Sequence, residues 1–425
     1  MRGALWLMAL FAIAAAGALF AGNNHATVTL YWHPHRLDLS LNLVLLGLLL
    51  LFLTLHLALR ALSALLGIPQ QARSWRLSQR ERSVYGSLLE SLTHLISGRF
   101  VRARKAAEMV VTLEESVLRS GEQLPHAGRL RTIAHLIAAE SAHALQDREI
   151  RDTHFAQALA EADKRDVSDA KEGVQLRGAR WAIDDRDASA AMQWLDQLHQ
   201  GAARRTVALR LRFRAARLAA KPRLALDTAR LLTKHRAFSA VAGASIARGL
   251  AIEMLRSAYD QVQIKAAWDA LSAEEQAMPD IALEAAQRLL DQGGDVQLAL
   301  SWTLPQWDAM IRPTDGLGAS QRVRLVRILE QSFVAAQTTP DAAWLARIEH
   351  AQMSNPSDAL LQYIAGYVCM QLQLWGKAQQ MLSQCLPRLR DPSLQRDAWR
   401  ALAQLAEQRQ DLQAASNAYR EAAKR

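Results

Sequence analysis

Residues 41–59 read LNLVLLGLLLLFLTLHLAL, and Arg60 ends the run. Nineteen residues pass with no formal charge at neutral pH apart from the titratable His56. As a helix rising 1.5 Å per residue they reach about 28 Å, close to the hydrocarbon thickness of a bilayer. The stretch predicts a transmembrane helix, and it ties whatever follows to a membrane surface.

A second apolar run precedes it, from Ala4 to Ala21, eighteen residues behind Arg2. Ala16-Gly17-Ala18 has the small-x-small form of a signal-peptide cleavage site. The run is long for a signal core, however, and another span follows closely, so retention as a membrane span is the expectation. Small residues let helices approach in lipid. Ala12 and Ala16, one turn apart, are the expected contact face of a hairpin with spans at about 4–21 and 41–59. The intervening loop, 22–40, holds one basic residue, Arg36, offset by Asp38. Arg60, Arg73, Arg76, Arg80 and Arg82 follow the second span, against Glu81 alone. Positive residues stay on the cytoplasmic side. The loop is therefore expected in the periplasm or its equivalent, with both termini and the large C-terminal part in the cytoplasm.

The chain carries 51 Lys and Arg against 41 Asp and Glu, a formal charge of +10. Residues 60–105 contribute nine of the cations and two Glu. Beside a membrane, each such cation gains about 1 kcal/mol from anionic lipid. This balance speaks for lipid proximity, and no nucleic-acid module is recognisable. The two cysteines, Cys369 and Cys385, lie in helical sequence. A cytoplasmic location disfavours a disulfide, and two thiols make no four-cysteine metal knuckle; both are expected as buried small hydrophobes.

After residue 75, Ala, Leu, Arg, Gln and Glu dominate. These are strong helix formers. Alternating β-branched runs and Asn-Gly or Asp-Gly turns are missing, so the predicted class is all-α. A period is visible near the C-terminus. Gly366 is followed by Trp375 and Ala378; beyond Pro392 come Trp399, Leu402, Ala403 and Ala406, then Ala415, Tyr419 and Ala422. Gly366 and Ala403 are equivalent, as are Ala378 and Ala415, each pair 37 apart. These offsets fit the tetratricopeptide pattern, in which small residues let antiparallel helices cross closely while large ones fill the groove beside them. Weaker units are Leu92, Leu95, Gly98, Phe100, Ala103 and Ala107; then Ile137-Ala138-Ala139-Glu140, Ala142, Asp147 and Ala156; then Trp181, Asp187, Ala191 and Leu195. Residues 225–335 read as helical but match the repeat poorly. The expected organisation is a two-helix transmembrane hairpin at 1–66 and a basic juxtamembrane linker at 67–84. A degenerate tetratricopeptide-like α-solenoid follows at 85–312, a break near 312–320, and C-terminal repeats at 321–425.

The layout resembles the proteobacterial HemY family over nearly the whole chain. The resemblance rests on the small-residue span, the loop of the Ala26-Thr27-Val28-Thr29-Leu30 type, the Leu-rich second span, the basic stretch and the degenerate repeats. The Leu92/Gly98/Ala103 and Ile137-Ala138-Ala139-Glu140 segments also look like that family's. It implies an inner-membrane protein linked to late steps of haem biosynthesis, with haem-pathway enzymes as partners. The flavin-dependent protoporphyrinogen oxidase that has shared the name needs a dinucleotide fingerprint, and no Gly-x-Gly-x-x-Gly occurs here.

Catalytic signatures are missing: there is no phosphate loop, His-Glu-x-x-His, Cys-x-x-Cys or Gly-x-Ser-x-Gly. The expectation is a chain without catalytic machinery, cofactor or metal of its own. Arg204 to Arg223 contains eight basic residues and no acid. Arg210, Arg214, Arg217 and Lys221 fall at i, i+4, i+7 and i+11, one helical face, with Leu209, Phe213 and Ala220 on another. Guanidinium groups grip carboxylates in bidentate fashion, so the row is a candidate face for an acidic partner or porphyrin propionates; a solvated helix face explains it equally simply. His33-Pro34-His35 beside Tyr31 and Trp32 is an incomplete ligand set, and aromatics there fit a membrane interface. His56 lies one turn from Arg60, within reach of the interface. His135 and His143, two turns apart on one helix, are too distant to share a small ion; His154 follows. Two function classes emerge. One is a membrane-anchored tetratricopeptide scaffold for haem-pathway proteins, with haem or porphyrin as a conceivable ligand. The other is a membrane-tethered adaptor for envelope assembly or protein quality control.

Overall fold

The computed structural model describes residues 2–22, 25–164, 167–312, 316–335 and 342–424. The chain divides into two compact units, Met1–Val167 and Ser168–Arg425.

The first unit opens with α1 (Arg2–Gly22). The segment expected as an irregular loop then forms an antiparallel pair, β1 (Thr27–Trp32) and β2 (His35–Ser40), with Thr27 opposite Ser40 and Trp32 opposite His35. This two-stranded ribbon departs from the all-α expectation. TVTLYW combines β-branched and aromatic residues, which favour an extended backbone, and the run is too short to stand out beside the apolar spans. Ser40 caps α2 (Leu41–Ile96), its hydroxyl accepting from Leu43 N–H. This helix is 56 residues long, about 84 Å. It carries through the stretch expected as a separate linker at 67–84: Gln, Ala, Arg and Leu there favour helix, although Gly67 and Pro69 oppose it. Leu41–Ser63 is long and apolar enough to cross a membrane, and protein covers none of it. The apolar run of α1 is shorter, Met8–Leu19. Ala12 and Ala16 are exposed, so the close contact expected of them is not made.

Beyond Leu77, α2 packs against α3 (Phe100–Arg119), which packs on α4 (Ala127–Ala144), which packs on α5 (Arg148–Ala162). Val84, Val110, Val117, Leu124, Leu130 and Ala134 form one core cluster, and Ala107, Ile137 and Ala138 another. The small positions anticipated at Ala103, Ala107, Ala138 and Ala142 are buried, whereas Ala156 is exposed and Ala158 fills the helix crossing instead.

The second unit repeats the same device. Its first part runs α6 (Ser168–Asp184), α7 (Ala188–Asp196), the short α8 (Gln200–Ala203), α9 (Thr206–Leu218), α10 (Pro222–Lys234) and α11 (Ala240–Arg256). Then come α12 (Gln261–Asp269), α13 (Ala273–Gln276), α14 (Pro279–Asp291), α15 (Val296–Ile311), α16 (Ala319–Ala335) and α17 (Ala342–Ser354). The chain closes on α18 (Ala359–Gln371), α19 (Trp375–Cys385), α20 (Pro392–Gln408) and α21 (Leu412–Ala423). Sequential neighbours pack as hairpins: α6 with α7, α9 with α10, α14 with α15, α18 with α19, and α20 with α21. Residues 313–315 of the expected break lie outside the described residues.

The C-terminal period has a direct structural reading. A Cβ on Gly366 would lie 2.9 Å from Leu382 Cγ and 3.3 Å from its backbone nitrogen, so glycine is what allows α18 and α19 to touch. Ala378 and Ala403 are fully buried, and Ala415 nearly so. Cys369 and Cys385 are buried and free. Burial raises both thiols, Cys385 to about 12, which leaves them protonated and inert.

Candidate functional site

The basic row lies on α9 and the turn after it. Arg210, Arg214 and Arg217 are exposed on α9, opposite buried Ala208, Leu209, Leu211, Ala215 and Ala216. Arg214 reaches Asp184 at 3.5 Å and Arg217 reaches Glu253 at 3.7 Å. Among the described residues Arg210 and Lys221 have no acidic partner. Lys221 departs from the predicted helical row: it is the N-cap of α10, with φ −103°. Ala220, just before it, has φ 50° and is exposed, so it does not join Leu209 on the buried face. The helix ends there because Pro222 starts the next one. Three arginines and one lysine thus line an exposed helix face and its turn, two of them already engaged.

In the first unit, two of the histidines meet across a helix pair, a contact that spacing along one helix does not reveal. His135 on α4 and His154 on α5 face each other, Nδ1 to Nδ1 at 3.2 Å, while His143 meets Arg151. Burial, then the neighbouring His154, lowers His135 to about 4; at neutral pH it is an uncharged hydrogen-bonding partner inside the helix pair. Glu108 lies 3.6 Å from His154 Nε2 and 3.7 Å from Arg104 Nε. Among the described residues no three His, Cys, Asp or Glu side chains come together in a form that could hold a metal ion. His33 and His35 sit at the exposed tip of the β-ribbon.

A cavity of about 430 Å³ lies at the N-terminal end of α4. Glu114, Arg129, Arg131 and Lys164 line it. Glu114 is only 2% exposed, and burial raises its carboxyl despite nearby Arg131. Sequence reasoning passed over this acid. The signal was legible: Glu114 continues the buried row Ala103, Ala107, Val110 toward Val117 on α3, a charged residue in an apolar stripe.

Fold and site together define a helical-hairpin protein with a membrane-capable helix built into its first hairpin. Residues 26–146 match the family model described as HemY protein N-terminus. No curated protein matches it. Among solved structures, the chain is similar to the Cut9-Hcn1 hetero-tetramer of APC/C at 14% identity and a TM-score of 0.29, covering 79% of this chain and 65% of that one. It is also similar to the P58(IPK) TPR domain at 15% identity and a TM-score of 0.22, covering 77% of this chain and 99% of that one.

Proposed function

We propose that the chain is a membrane-anchored scaffold acting at late steps of haem biosynthesis. Its hairpins gather haem-pathway enzymes, or their porphyrin intermediates, at the cytoplasmic face of the inner membrane. The observation that carries this reading is the continuity of α2: the helix containing Leu41–Ser63 is the same helix that supplies Leu77 and Val84 to the first unit's core. Anchor and first-unit hairpins share one helix, and tethering raises the effective concentration of bound partners without catalysis. The match of residues 26–146 to the HemY N-terminus model supports the link to haem. In this reading α1 is a second span, and the Lys and Arg asymmetry around α2 places both termini in the cytoplasm. Arg210, Arg214, Arg217 and Lys221 present a cationic surface suited to an acidic protein partner or propionates.

Two measurements test the proposal. A photo-crosslinker introduced at Arg210 or Arg214 in cells is expected to capture haem-pathway enzymes such as ferrochelatase. Capture of envelope-assembly factors alone would replace this reading with the adaptor one. Protein purified in detergent is expected to be colourless and to leave porphyrinogens unchanged; turnover of a tetrapyrrole would contradict the scaffold.

A further inference from the structure

Three exposed cations stand together at the α2–α3 turn with no acid to hold them. Gly98, at φ 69°, reverses the chain between the two helices. Arg99 and Arg102 follow it, with Lys105 one turn on, and all three side chains are exposed. None of the three has an acidic partner among the described residues. The nearby acids are spent elsewhere. Glu108 lies 3.7 Å from Arg104 and 3.6 Å from His154. Asp147 lies 3.4 Å from Arg104 and accepts the Ile150 N–H. Arg148 and Glu149, adjacent at the start of α5, offset each other in charge.

Between these charges the surface is apolar. An open groove of about 560 Å³ is lined by Gly98, Arg99, Phe100, Val101, Arg102 and Leu145. It joins the start of α3 to the end of α4. Val101, Lys105 and Met109 continue it at i, i+4 and i+8, along one face of α3. Val101 is 48% exposed and Met109 51%. Ile96, at the end of α2, is 86% exposed. Single exposed apolar side chains are ordinary. Several along one groove and one helix face, rimmed by cations, mark a docking surface.

Charge and position select the occupant. Ile96 lies thirty-three residues past Ser63 on α2, about 50 Å along the helix axis. The attraction of anionic lipid is screened within about 8 Å, so the bilayer that α2 crosses does not reach this turn. A two-fold contact with a second copy would set Arg99, Arg102 and Lys105 against their own equivalents, which like charge opposes. We propose that the surface docks an acidic amphipathic segment of a partner protein, its apolar side chains on Val101, Met109 and Leu145 and its carboxylates on Arg99, Arg102 and Lys105. The surface belongs to the first unit and is separate from the α9 row. It stands whether or not the partners come from the haem pathway.

The test is photo-crosslinking of the full chain in cells, with a benzophenone side chain in place of Val101 and the crosslinked peptides sequenced. The expected products are other proteins, caught through segments that carry net negative charge and apolar residues at helical spacing. Reversing Arg99, Arg102 and Lys105 together to Glu should cut this capture by about tenfold or more. The three side chains are exposed and Glu suits the first turn of a helix, so the melting temperature should hold. Replacing Arg99 and Arg102 by Lys keeps the charge and should keep most of the capture. Four outcomes overturn the proposal: crosslinks to lipid or to a second copy alone, crosslinks to segments without net negative charge, no product, or capture that survives the charge reversal. Failure here with capture intact at Arg210 would remove this surface alone. Failure at both positions would also remove the scaffold.

Discussion

At the scale of single residues, buried charge is kept only where it is held. Glu284 is 7% exposed in α14. Burial alone would raise its carboxyl, but hydrogen bonds from Arg256 and Arg324 outweigh that and hold it below the usual range. Glu275, gripped by Arg230 and the Ser272 cap, is lowered in the same balance. A carboxyl lowered on folding stabilises the protein above its unfolded value, near 4.5, and loses that contribution as pH falls through the lower folded value. Thermal melting of the second unit should therefore be flat from neutral pH down to about 5 and fall below it. Glu284→Gln should lower stability by about 2 kcal/mol at pH 7, because two guanidinium groups lose their anionic acceptor, and should flatten the acid limb. A variant that melts with the parent's acid profile would contradict this assignment. Gly366 makes the converse point. Adding one methyl drives it into Leu382, so Gly366→Ala should cost about 1–3 kcal/mol, measured by chemical denaturation; a neutral result would mean that the α18–α19 crossing is looser than described.

At the scale of elements, one turn recurs. A non-glycine residue takes a left-handed backbone and the next residue caps the following helix: Gln146 at φ 62° before Asp147, Arg186 at φ 62° before Asp187, and Gln410 at φ 60° before Asp411. Each aspartate accepts a backbone N–H three residues on. The left-handed backbone costs an L-residue about 1–2 kcal/mol, and glycine escapes that cost. Gln146→Gly should therefore stabilise the first unit by about 1 kcal/mol, while Asp147→Ala should destabilise it by about 0.5–2 kcal/mol; opposite shifts in the melting temperature are the check. The buried alanines and glycines of these hairpins were legible in the sequence because tight crossings tolerate little else, as at Gly366, Ala378 and Ala403. The β-ribbon was not, since six-residue strands carry a weak period beside two long apolar runs. The His135–His154 pairing escaped notice too: α4 and α5 bring them together across a turn, and spacing along one helix only set His135 apart from His143. Glu114 lies in phase with its apolar row as the one charged member, yet nothing local said that a cavity lay beside it.

At the scale of the whole molecule, the account rests on α2. Leu77, the first described side chain of this helix to join the first unit's core, is fourteen residues past Ser63, about 21 Å along the axis. A continuous helix joins the anchor to the first unit's hairpins, so partners gathered on those hairpins are held close to the bilayer. Limited proteolysis of intact spheroplasts, compared with inverted membrane vesicles, tests this most directly. Protease outside spheroplasts should leave the fragment beyond Ser63 intact, and the same protease should digest it in inverted vesicles. Digestion of that fragment in intact spheroplasts, or its release from the membrane in salt alone, would contradict the account.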